Sequence, residues 1–161
     1  MLRAAAAPDV PPTFKVLPFR KQTPADKCAS TCADIVAQAA GLGRVQPNRC
    51  PAAPSFIVNS MKRRGAHSFW LPATDKAEFG VWLRAATEKN TFVIANVGMA
   101  KKDHPDQWRR SGHYVIVLGM HGLHVYLFDP KDGLTKRILL DDLFYICQTP
   151  KTRGLVVIET K

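Results

Sequence analysis

The 161-residue chain has only four cysteines, Cys28, Cys32, Cys50 and Cys147, too few at this length for a disulfide framework. Cys28 and Cys32 lie four apart, one helical turn, which is not the CxxC hook of a structural zinc site. No pattern argues for a Cys50–Cys147 bridge. No apolar run approaches the ~20 residues that cross a bilayer. Internal repeats, a long basic tract, zinc-finger spacing and an aromatic RNA-binding signature are all lacking, so nucleic acid is a minor option. Acidic residues are scarce too: 13 Asp and Glu against 23 Lys and Arg, a formal charge of +10. Such a surface attracts acidic partners, although the basic pairs are scattered.

The start, Met1-Leu-Arg-Ala-Ala-Ala-Ala-Pro8, is too short in its apolar part for a signal peptide. Residues 1–15 are expected to form a flexible lead-in and residues 16–161 a single domain. At 46% hydrophobic and 22% charged, the chain has the composition of a globular protein with a sizeable core.

Apolar spacing predicts a helix from Cys28 to Ala40, opened by Asp26 or a neighbour and stopped at Gly41. A second helix is expected over Ser55 to Arg64. A third opens on the capping box Asp75-x-x-Glu78 and ends near Asn90. The second half changes character. Thr91 to Val97 reads as a strand. Tyr114 to Leu118 and Val125 to Phe128 read as a hairpin, and Leu155 to Ile158 as a last strand. Asp141-Asp142 can open a short helix through Phe144. Helices first and antiparallel strands after imply an α+β domain.

Four residues carry the chemistry. Cys28 falls in the first turn of the predicted helix, where the dipole lowers a thiol pKa, and is the nucleophile candidate. Cys32 is its rival, one turn further in, where a thiol packs against the core. His113 opens an apolar strand, a rigid base beside a cleft. Asp129 closes the partner strand; in an antiparallel hairpin it falls beside His113, where it can hold the imidazole tautomer. Gln22, six residues before Cys28, can donate its amide to an oxyanion together with the Cys28 N–H. His67, His104, His121 and His124 have no ligand spacing and read as solvated side chains. The loop Met99 to Gly112, with Trp108, is a candidate substrate-binding wall.

This order is that of a papain-type cysteine hydrolase. Gln22 through Ala33, Phe92 to Val97, Gly112-His-Tyr-Val-Ile-Val-Leu-Gly119 and Val125-Tyr-Leu-Phe-Asp-Pro130 resemble the papain-like peptidases that process double-glycine leader peptides in bacteriocin export. The chain departs from that family at Lys27-Cys-Ala-Ser30, where members often carry Asp-Cys-Gly-Pro, and it is expected to stand alone, where members are usually fused to a membrane-spanning transporter. The resemblance implies a papain-like fold with the nucleophile at the start of the first long helix. It implies a thiol peptidase using Cys28, His113, Asp129 and Gln22, with no cofactor and a protein or peptide substrate cut after small residues such as Gly-Gly. By analogy with soluble papain-like toxins, the chain is expected to be a bacterial effector, secreted or delivered into a reducing cytoplasm. An acidic immunity protein covering the Cys28 cleft would suit the basic charge. The same triad also serves an amidase, a deamidase or an acyl transferase, and residue pattern does not separate these.

Overall fold

A computed structural model describes residues 10–24, 27–47, 53–98, 112–148 and 153–161. Among these residues six strands form one sheet: β1 (His67–Pro72), β2 (Thr91–Gly98), β3 (Gly112–His121), β4 (His124–Asp129), β5 (Leu134–Leu139) and β6 (Gly154–Glu159). Their order across the sheet is β1-β6-β2-β3-β4-β5, and every neighbouring pair is antiparallel. Four helices among the described residues, α1 (Cys28–Ala39), α2 (Pro54–Arg63), α3 (Lys76–Ala85) and α4 (Leu140–Cys147), cover it.

The helices take opposite faces. Cys32, Ile35 and Val36 of α1 and Ile57 and Met61 of α2 pack with Ile94, Tyr114, Ile116 and Phe128. Phe79 and Leu83 of α3 and Leu143 and Ile146 of α4 pack with Ala95, Val115, Val117 and Leu127. Both faces of the central strands are therefore dry. All eight residues of β2 are buried, which explains why Thr91 to Val97 reads as a continuous apolar run rather than an alternating one.

The helix α1 begins at Cys28 with Lys27 as its N-cap; Asp26 lies outside the described residues. The Lys27 N–H donates to Ser30 Oγ, and Ser30 Oγ donates back to the Lys27 carbonyl. Asp34, one face further on, accepts from Arg20, from Arg44 and from the Val45 N–H, tying α1 to the segments on either side. In α3, Asp75 accepts from the N–H groups of Ala77 and Glu78, as an N-cap should. That helix stops at Ala85, well before Asn90, where turns at Thr87 and Thr91 take over. The last helix starts earlier and runs longer than Asp141-Asp142 suggests, from Leu140 to Cys147, with both aspartates in its first turn.

Two strands were not legible. Strand β1 belongs to the first half of the chain yet forms an edge of the sheet beside β6, and β5 forms the other edge. The core also recruits Phe14, which meets Tyr126 edge-on at 5.5 Å between ring centres. A bulge between Val117 and Gly119 breaks the β3–β4 register. Gly119 is there at φ +153, and a Cβ on it would lie 2.4 Å from Thr87 Cγ2. No helix among the described residues is long and apolar enough to cross a membrane.

Candidate active site

The site forms where the first turn of α1 meets the ends of β3 and β4. Cys28 is half-buried, and the backbone N–H of Tyr114 donates to its Sγ at 3.4 Å. One turn along the same helix, Cys32 is fully buried and its thiol reaches the Tyr114 carbonyl at 3.5 Å. The two cysteines thus engage the N–H and the carbonyl of the same β3 residue, Tyr114. Only Cys28 combines an open side with a histidine neighbour, because only the first residue of the helix stands at the end of the sheet.

His113, the residue before Tyr114, is buried and directs Nε2 to Asp129 Oδ1 at 2.7 Å. Its other ring nitrogen is left for the Cys28 thiol, with which the ring makes a hydrogen bond. Strand pairing explains how residues sixteen apart meet: Ile116 pairs with Phe128, so the start of β3 lies beside the end of β4. Asp129 Oδ1 also accepts from the Lys131 N–H at 2.9 Å, and Oδ2 accepts from Lys136 Nζ at 2.8 Å. Gln22 is stitched to the same corner, its backbone N–H donating to the Pro130 carbonyl at 2.8 Å. Its side-chain Oε1 is buried without a partner among the described residues.

The protonation of the group follows from these contacts. Burial works to raise the Cys28 pKa, but the hydrogen bond and charge of His113, with the N–H groups of Tyr114 and Ala29, bring it below the ordinary thiol value. Burial likewise opposes a charged imidazole, yet Asp129 and Cys28 together raise His113 to about 9. For Asp129, burial is outweighed by His113, Lys136 and the Lys131 N–H, which hold the carboxyl well below the usual carboxylate range. The combination favours a thiolate–imidazolium pair backed by a carboxylate. The Tyr114 hydroxyl is pushed up, first by burial and then by the cysteines, so it stays neutral.

The structure therefore brings Gln22, Cys28, His113 and Asp129 to one corner. Gly112, the first residue of β3, lies next to His113 and opposite Gly98. A Cβ there would come within 3.3 Å of Asn96 Oδ1. Trp108, with residues 99–111, lies outside the described residues, as do Cys50 and His104. His67 pairs with Glu159 at the β1–β6 edge, and His121 faces His124 across the hairpin tip, all remote from Cys28 in the fold. No cluster of metal-ligating side chains occurs among the described residues. Sequence reading missed Lys136. A lysine seven residues past Asp129, flanked by Thr135 and Arg137, gives no local sign that it is buried.

No family model and no curated protein matches the chain. Solved structures do. A double-glycine motif protease from an AMS/PCAT transporter, in complex with the leader peptide, superposes at a TM-score of 0.57 with 12% identity, covering 92% of this chain and 94% of that one. The peptidase domain of Streptococcus ComA, a bifunctional ABC transporter of a quorum-sensing pathway, gives 0.60 at 16% identity over 89% of this chain and 98% of that one. The peptidase domain of Streptococcus mutans ComA in complex with a small-molecule inhibitor gives 0.54 at 16% identity, over 88% and 98%. The chain has the papain-like fold of these peptidase domains.

Proposed function

We propose, from that fold, that this chain is a cysteine peptidase working through Cys28, His113 and Asp129. The observation that supports it is the continuous line from the Cys28 thiol through the His113 ring to Asp129 Oδ1 at 2.7 Å. In this reading the Cys28 thiolate attacks the carbonyl carbon of a peptide bond. The carbon–sulfur bond forms as the carbonyl electron pair moves onto oxygen. That oxyanion takes hydrogen bonds from the Cys28 N–H, at the helix start, and from the Gln22 amide. The oxyanion collapses, the carbon–nitrogen bond breaks, and His113 gives its proton to the departing amine. Neutral His113 then removes a proton from water, which attacks the thioester and releases the acid and the Cys28 thiolate. Asp129 stays ionised throughout and holds the ring.

One similar structure is a double-glycine motif protease bound to a leader peptide. We infer from that likeness a peptide substrate with small residues before the cut. An effector role draws its support from analogy with soluble papain-like toxins, and an acidic inhibitor over the Cys28 cleft from the +10 charge. The test is to incubate the protein and its Cys28→Ala variant with a reduced bacterial lysate and to sequence new N-termini. Discrete termini present only with the wild type establish the peptidase and name its target. None above the variant moves the reading to an amidase, deamidase or acyl transferase on the same triad.

A further inference from the structure

Lys136 occupies a position on β5 where a core side chain belongs, and it is only 6% exposed. Leu127 pairs with Lys136 and Asp129 with Leu134, so Lys136 and Asp129 are diagonal neighbours on the same side of adjacent strands. The ammonium lies between two carboxylates, 2.8 Å from Asp129 Oδ2 and 2.6 Å from Asp132 Oδ2. Asp129 Oδ1 is already engaged by His113 and by the Lys131 N–H. Every contact of this carboxylate is therefore directional, and the one on Oδ2 is the only cationic contact from outside the triad among the described residues. A buried ammonium persists only where its partners hold it charged, so the three groups fix one another.

We propose that Lys136 is a positioning residue: its ammonium, clamped between Asp129 and Asp132, keeps the Asp129 carboxylate turned toward His113 and sets the electrostatic field at the Cys28–His113 pair. The inference deepens the peptidase reading and rests on its assignment of those residues. Among the described residues the charged group acting directly on the Cys28–His113 pair is Asp129, with the neutral Tyr114 hydroxyl beside Cys28; Lys136, held by Asp129 and Asp132, reaches the pair through Asp129. Removing the Lys136 cation makes the potential at the pair more negative. The thiolate then forms less readily, and the imidazolium surrenders its proton less readily. Both limbs of the pair's pH dependence move to higher pH, by about half a unit or more for the loss of one charge held against Asp129. Simple loosening of the fold would lower activity and leave the limbs where they were.

The test needs no substrate. The rate of Cys28 alkylation by iodoacetamide, followed across pH by mass spectrometry of the Cys28 peptide, reads the acid limb. The ring-proton NMR shift of His113 reads the alkaline limb. In Lys136→Met both are expected to rise, and Lys136→Arg is expected to bring them back. Limbs unchanged in a folded Lys136→Met protein overturn the proposal. So does an equal shift in the Met and Arg variants. If Lys136→Met does not fold, Asp132→Asn decides: this carboxylate is 38% exposed, and its loss removes an anion beside Lys136. Both limbs then move down by a smaller amount, and no movement overturns the proposal. A protein that shows these shifts but cuts nothing in lysate would keep this inference and lose the peptidase reading.

Discussion

Cys28 and Cys147 stand at opposite ends of two helices, Cys28 as the first residue of α1 and Cys147 as the last of α4. Burial raises the pKa of both thiols. At Cys28 that effect is overcome by His113 and by two backbone N–H groups, that of Tyr114 in β3 and that of Ala29 at the positive end of α1. At Cys147 nothing overcomes it: the side chain is fully buried at the negative end of α4, and the thiol is pushed far up despite Arg153. One residue type thus becomes a readily ionised thiol or an inert core atom according to the helix end it occupies and the partner it meets.

The largest test of this contrast is removal of each sulfur. Cys28→Ala or His113→Ala is expected to lower kcat by about a thousandfold or more with the fold intact. Cys147→Ala should leave kcat within about twofold. Steady-state assays on the target peptide, with circular dichroism as the fold control, check all three. Next in size is the oxyanion contribution. Gln22→Ala should lower kcat by about a hundredfold and KM little, since loss of one such donor typically costs that much. A change confined to KM would instead make Gln22 a binding residue.

A smaller effect concerns stability against pH. His113, raised from 6.5 to about 9, contributes stability that is complete below 6.5 and is lost as pH rises to about 9. Cys28, lowered from 9.0, ionises first in the folded state and contributes stability with the opposite sign over that window. The two oppose each other in the wild type. In Cys28→Ala the opposing contribution is gone while Asp129 still raises His113, so its thermal midpoint should fall more between pH 6 and pH 9 than that of the wild type, by about a few degrees. Calorimetry at the two pH values checks the difference. The smallest effect returns to the inert thiol: Cys147→Ala should cost about 1 kcal/mol in denaturant unfolding, the scale of removing one buried heavy atom.

The parts of the fold that were legible are those whose side chains follow a local rule. The first helix shows its apolar face at helical spacing, α3 carries its own cap at Asp75, and β3 and β4 are apolar runs around Gly122. The edge strands break the rule. In β5 the buried side chain at its centre is Lys136, while Leu134 and Leu139 at its ends are 43% exposed, so the hydrophobic alternation is inverted. In β1 the alternation is weak, and Pro72 closes the strand. The same inversion that concealed β5 concealed Lys136, because a lysine pattern reads as solvated surface until its carboxylate partners are in place.

Sequence alone determined the order Gln22, Cys28, His113, Asp129 and the helix and hairpin that carry the last three. Each of these depends on residues close by in the chain, on apolar spacing, on a helix start and on a strand end. Tertiary structure decided the rest. It inserted β6 between β1 and β2, chose Cys28 over Cys32 by placing only the first at the open end of the sheet, and delivered Lys136 to the far side of Asp129. Those outcomes depend on which distant strands pair and which charges are buried together, and the free energy of such contacts belongs to the assembled core rather than to any local stretch of chain.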